Sequence, residues 1–306
     1  MLPLLLFLSC NTDSAAPALN KKNQAEQSVP STSTSTARPA NALTVSSLSN
    51  RQLRYPERSI KYPFVIPLTQ KHQQAAQILK NLVKWHGLAG DNPWALSHAI
   101  LALGRGTKMS NGDDAVDVLF KHAKVRNIEN VPFPYFPREN SEGEATVRVE
   151  PHKDLIFKVL AEVQVPMDKV VNVMGADFPI SDLYKGAILA TYLNPYTNES
   201  SFTSPNDMPW SVQAIATVLQ PDEQWIAEND QVMGANDLSR FLVAVLGQES
   251  TALKKAMNSG AEFQKDGTGV FKYTCGGAHL LQGAAYAMAR GFGNDKTHQE
   301  ILTNID

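Results

Sequence analysis

The chain has 306 residues, with 28 Lys or Arg against 30 Asp or Glu and a net charge of −2 when His is neutral. That balance gives no support for nucleic-acid binding, which neutralises phosphates with clustered Lys and Arg, and no nucleic-acid partner is expected. Two cysteines exclude a disulfide scaffold, so stability must come from a core. No apolar run approaches the ~20 residues that span a bilayer, which excludes a multi-pass protein.

Residues 2–10, Leu-Pro-Leu-Leu-Leu-Phe-Leu-Ser-Cys, form a short apolar run that ends in a small residue and a cysteine. Phe7-Leu8-Ser9-Cys10 resembles the lipobox of bacterial lipoproteins. The resemblance implies a signal peptide over 1–9, cleavage before Cys10 and lipid on its thiol, so that the membrane is a partner through this anchor. Asn11, rather than Asp, implies an outer-membrane destination in the cell envelope. Phe7 departs from the usual Leu, and no Lys or Arg precedes the run, as expected if the start codon lies upstream of Met1. The alternatives are an ordinary signal peptide with a coincidental cysteine and an apolar start that is never cleaved. With Cys10 lipidated, Cys275 is left without a partner for an intramolecular disulfide.

From 10 to 54 the chain reads as a lipidated cysteine and a disordered tether. Residues 11–50 hold no aromatic residue, little charge and a Pro-Ser-Thr-Ser-Thr-Ser-Thr stretch at 30–36, too little apolar surface to offset ordering. A coil of this length spans about 35 Å on average.

From 55 to 306 the composition is that of one globular domain, and helical periodicity runs through nearly all of it. Residues 70–86 place Ala75, Ile78, Leu79, Leu82 and Val83 on one stripe. Further helices are expected over 94–104, 113–123, 152–164, 180–194, 209–219, 236–247, 250–264 and 275–290. Between them, 131–149 opens with Val-Pro-Phe-Pro-Tyr-Phe-Pro, and prolines at that density forbid helix. The expectation is an all-α domain with one long inserted loop.

Two segments repeat a pattern: Asp91-Asn92-Pro93-Trp94 and Asn206-Asp207-Met208-Pro209-Trp210 each precede an apolar helix. Asp or Asn caps free amides at a helix start, and Pro suits the first helical position because its missing N–H would be unpaired there. Repeated helical hairpins point to a stacked or ring-closed α/α arrangement. The passage Gly269-Val270-Phe271-Lys272-Tyr273-Thr274-Cys275-Gly276-Gly277 resembles one in α/α toroids such as terpenoid cyclases and the β subunits of protein prenyltransferases. That resemblance implies an α/α toroid, with an irregular helical-hairpin array as the alternative. Their chemistry does not carry over: the Asp-x-Asp-Asp motif is missing, and Tyr273-Thr274-Cys275 replaces the Asp-x-Cys of the zinc site.

Candidate sites follow from side-chain chemistry. Cys275 and His279 lie one helical turn apart, and His98 holds the matching place after Trp94; the three form a candidate zinc set with an open position for water. The competing reading is a buried cysteine and histidines bonded to carbonyls. His98 and His279 are the candidate catalytic groups. Arg148, Glu150, His152 and Asp154 form either an acid–base or anion-holding cluster, with Arg148 and His152 contacting ligand, or a plain helix start with Pro151 as its first residue. Trp94 and Trp210 are candidate stacking platforms for a sugar ring, with Asp91, Asp113, Asp207 or Glu150 as carboxylates, against a reading of capping and core packing. Function is thus expected to be ligand or partner binding by an envelope lipoprotein. A metal-assisted or carboxylate-using hydrolase or lyase acting on envelope glycan is the alternative.

Overall fold

The computed structural model describes residues 39–56, 69–142, 145–194, 196–260, 269–273 and 277–293. The signal, lipobox and most of the tether, Cys10 included, lie outside the described residues, as does Cys275. Among the described residues no helix is long and apolar enough to cross a membrane.

Helices carry most of the core. They are α1 (Val45–Ser49), α2 (Gln70–Gly87), α3 (Pro93–Leu103), α4 (Ala115–Phe120), α5 (Leu155–Glu162), α6 (Ile180–Leu189), α7 (Met208–Val218), α8 (Ala235–Ser259) and α9 (Ala278–Ala289). Among the described residues eight strands interrupt them: β1 (Lys124–Ile128) with β2 (Val131–Tyr135), β3 (Glu139–Glu142) with β4 (Ala145–Arg148), β5 (Val170–Val173) with β6 (Ala176–Pro179), and β7 (Gln224–Ile226) with β8 (Val232–Gly234). Each pair is an antiparallel two-stranded sheet.

These sheets overturn the all-α expectation, toroid and hairpin array alike, in favour of a mixed fold. The expected loop 131–149 is mostly β2, β3 and β4. A two-stranded sheet has only edges, where a proline's missing N–H is tolerated, so Pro132 and Pro134 pair opposite Asn127 and Val125 without breaking β2. The strands escaped the periodicity reading because each spans three to five residues, too few for alternation to stand out. Two-residue turns close two of the hairpins: Glu129 and Asn130 adopt positive φ between β1 and β2, and Met174 and Gly175 do so between β5 and β6.

Helix boundaries also differ: the helix expected over 180–194 stops at Leu189 as α6, and that over 113–123 is the shorter α4. The expected helices 236–247 and 250–264 are one, α8, which ends at Gly260 in the left-handed region. The helix expected from 152 begins at Leu155, because Asp154 sits at φ 63° and its side chain makes no capping bond. Pro151 therefore is not a first helical residue.

The pattern of burial fits α3, α5, α7 and α9 packed in series, α3 on α5, α5 on α7 and α7 on α9. Close approach at the last contact requires glycine: a Cβ at Gly283 would lie 2.8 Å from Pro209 Cα and 3.0 Å from Leu242 Cδ2. Residues N-terminal to 55 also pack into the fold. Leu43 N–H donates to the Gln224 carbonyl at 2.8 Å, and Val45, Leu48 and Leu53 are buried. The stripe read on α2 does not reach the core, since Ile78, Leu79 and Leu82 are exposed and only Val83 is partly covered.

Candidate functional site

The series α3–α5–α7–α9 brings the beginnings of its helices together. α3 starts as read, with Asn92 Oδ1 accepting the Ala95 N–H at 3.0 Å and Pro93 in the first turn. Its first turn presents Trp94, about half exposed, tilted on His98 at 4.2 Å between ring centroids. His98 Nδ1 lies 2.7 Å from the Trp94 carbonyl, which can only accept, so that nitrogen carries the proton.

Trp210, in the first turn of α7, is the centre of the group. His279 at the start of α9 is tilted on its ring at 4.4 Å, and His152, ahead of α5, stacks on it at 5.5 Å. Lys158, one turn into α5, places its ammonium 5.6 Å from the ring centroid, within cation–π reach. That ammonium is buried and held by Glu162 at 2.6 Å. Trp210 is 8% exposed, and its indole N–H has no hydrogen-bond partner among the described residues. Leaving such a donor unmade costs about 1–3 kcal/mol, so it needs an explanation.

Burial and neighbouring charges shift the two histidines in the same direction. Burial lowers the pKa of His279 below its ordinary 6.5, against a hydrogen bond with Gln282, and the charges of Lys158, His152 and His98 lower it further. Burial likewise lowers that of His98, with Lys158 acting in the same direction and the Trp94 carbonyl against it. Both imidazoles are therefore neutral at pH 7.

Beside this group lies a buried carboxylate, Asp207. It does not cap α7: Ser204 caps a 3-10 turn over Pro205–Asp207, and the Asp207 side chain makes no capping bond. Its Oδ2 accepts from Arg138 Nη2 at 2.5 Å, Thr203 Oγ1 at 2.7 Å and Thr203 N at 3.1 Å, while Oδ1 lies 3.4 Å from His152 Nδ1. Burial alone would raise its pKa, but the bonds from His152, Arg138 and Thr203 win and hold it at about 2. Asp207 thus fixes one face of the His152 ring and selects its tautomer, with the proton on Nδ1 when the ring is neutral.

A second acidic group sits one layer deeper. Glu150, Lys153 and Asp154 line a cavity of about 50 Å3 with Arg126 and Tyr135. Lys153 Nζ donates to Asp154 Oδ2 and to Thr191 Oγ1, each at 2.7 Å, and Ser211 donates to the same Asp154 oxygen. Glu150 accepts the Ile156 N–H at 2.8 Å, and burial, then the charge of Asp154, push its pKa up to about 8.

The predicted residues therefore divide. His152, Trp210 and His279 come together and Trp94 packs on His98, whereas Arg148 is exposed on β4. Asp91 and Asp113 line a separate open cleft with Met109, Asn111 and Lys121. Among the described residues no three of His, Cys, Asp or Glu form a set that could hold a metal ion. The Lys158 ammonium among the histidines opposes a cation there in any case, and Cys275 of the expected zinc set lies outside the described residues. Sequence reasoning missed Lys158, Arg138 and Gln282. Lys158 had a signal, a lone charge inside Leu155-Ile156-Phe157-Lys158-Val159-Leu160; Arg138, 69 positions from Asp207, had none.

Comparison with family models, with characterised proteins and with solved structures finds no match to this chain.

Proposed function

We propose that the chain is a lipid-anchored cell-envelope protein whose folded part binds an oxygen-rich ring, such as a sugar of the envelope glycan, where α3, α5, α7 and α9 begin. The observation that carries the reading is the indole N–H of Trp210, buried without an acceptor among His152, His279 and Lys158. A ligand hydroxyl or carbonyl would supply that acceptor once the side chains that cover the indole N–H part to admit it. Trp94, 47% exposed, offers an aromatic face for the ring. Neutral His98 and His279 suit hydroxyl groups better than they suit a second charge.

A trimer of N-acetylglucosamine, titrated while intrinsic tryptophan fluorescence is followed, tests this. Saturable binding that is weakened at least tenfold in both Trp94→Ala and His279→Ala supports the reading. No saturable change in the wild-type protein, or binding indifferent to both substitutions, rejects it.

One observation favours a second reading, hydrolysis or elimination on the same ligand. His152 is held through Nδ1 by a buried, ionised Asp207, the arrangement that prepares the other ring nitrogen as a general base. Product release from the same trimer by the wild-type protein, lost in His152→Gln, would establish it; binding without product would leave the chain a binding protein.

A further inference from the structure

The α2 helix is a surface helix with its apolar side turned outward. Ile78 is 60% exposed, Leu79 50%, Leu82 46% and Trp85 76%. At 3.6 residues per turn these four, with Ala75, fall on one arc of about 120°. The helix is held from a different side. Val83 is partly buried, and a Cβ at Gly87 would lie 2.7 Å from Ala99 Cβ, so α3 grips α2 through its 83–87 side and leaves the apolar arc free.

The charge on α2 says what the arc meets. Residues 70–87 contain Lys71, Lys80 and Lys84 with His72 and His86, and no Asp or Glu. In a chain whose acidic residues outnumber its basic ones, 30 to 28, this is a local excess of one sign. A basic amphipathic helix with Trp and aliphatic residues on one face and low overall hydrophobicity lies in the interface of an anionic bilayer, with its apolar face a few ångströms deep. Lys71 lies on the apolar arc at the first turn, where its long stem can extend along lipid while its ammonium reaches the headgroups. Lys80 and Lys84, on the far side, remain within about one Debye length (~8–10 Å) of that surface or close to it. The 18 residues do not form a spanning helix, so the helix lies on the membrane and does not cross it.

We infer that α2 is a docking surface for an anionic lipid bilayer, with Ile78, Leu79, Leu82 and Trp85 inserted among the lipids and the lysines supplying the charge. It acts independently of any lipid on Cys10 and would fix which way the folded part faces once the chain is at the membrane.

The test uses the full chain carrying Cys10→Ser, so that no thiol-linked lipid contributes. It is mixed with vesicles of phosphatidylcholine, alone or with phosphatidylglycerol, and sedimented. Binding is expected to the mixed vesicles far more than to phosphatidylcholine alone, with a blue shift in emission that Trp85→Phe removes. Ile78→Ser with Leu82→Ser should weaken it by at least tenfold and on the order of a hundredfold, given the transfer energy of two aliphatic side chains. Lys80→Glu with Lys84→Glu should also weaken it. All these side chains are exposed, so circular dichroism should report unchanged folds. Equal sedimentation of wild type and the Ile78/Leu82 variant, or no dependence on phosphatidylglycerol, overturns the inference. It is overturned equally if the wild type ignores vesicles and the serine variant turns a dimer into a monomer in analytical ultracentrifugation, since the arc then meets a second copy of the chain.

Discussion

Replacing Asp207 by Asn removes one charge and almost no volume, which isolates the electrostatics of the site. The carboxyl titrates at about 2 in the folded protein against an ordinary 3.8. That difference corresponds to about 2 kcal/mol of stability at neutral pH. Because the folded pKa is depressed, the contribution is complete above about pH 4 and is lost as pH falls through 2. Asn keeps an acceptor for Thr203, so the loss falls on the bonds from Arg138 and His152. Asp207→Asn should therefore unfold about 2 kcal/mol more easily at pH 7, or roughly 4–8 °C lower in Tm for a domain of this size. Urea titrations of both proteins at pH 7 and near pH 2.5 measure the gap. It should shrink markedly at the acid end, where the wild-type carboxylate is taking up its proton. A gap of the same size at both pH values would refute the reasoning, since a steric or packing defect does not titrate, and so would an Asn variant as stable as wild type at neutral pH.

Glu150 has the opposite sign: its folded pKa of about 8 lies above the ordinary 4.5, so its favourable contribution is complete below 4.5 and is lost as pH rises through 8. Glu150→Gln should therefore gain on wild type in thermal unfolding as pH is raised from 5 to 8.5; parallel curves would contradict the assignment. Gly283→Ala forces a methyl against Pro209 and Leu242 and should cost about 1–3 kcal/mol in urea unfolding, the usual range for overpacking. His279 should titrate below its ordinary 6.5 when its ring protons are followed by NMR, and Lys158→Met should move it upward by removing a repelling charge. An unmoved His279 in that variant would mean that Lys158 does not share its surroundings.

What could be read from the residues was local, and what could not was lateral. The Asn92-Pro93-Trp94 start of α3 needs only its own four residues, since Asn92 caps and Pro93 occupies a turn with no N–H to lose. The similar start Asp207-Met208-Pro209-Trp210, with Met208 between the acid and the proline, has no such local cap. Asp207 is claimed by Arg138, 69 positions away, and by Thr203, so its carboxylate turns sideways and leaves the helix end to other groups. Likewise the α2 stripe is a true period of 3.6, but a period says which residues share a face and not whether that face meets protein. His98 and His279 share a place in their helix starts, but the analogy says nothing of packing: His98 lies against Trp94 of its own helix, and His279 against Trp210 of α7.

The charges around the site cancel in pairs, and that decides what kind of ligand suits it. Lys158 is spent on Glu162, and Arg138 on Asp207. His98 and His279 are neutral at pH 7 because burial, first of all, opposes their protonation. What remains for a ligand is the exposed indole of Trp94, imidazole nitrogens and the buried, unmade N–H of Trp210, a set that is polar and aromatic with little net charge. Binding of a neutral sugar there releases no counterions and gains from stacking and hydrogen bonds, so its Kd should stay within about twofold between low and high salt. An anion would instead have to draw Lys158 away from Glu162, and its affinity would fall steeply with added salt. Measuring the salt dependence of whichever compound binds separates the two, and a steep dependence would show that the Lys158–Glu162 pair opens to admit a charge.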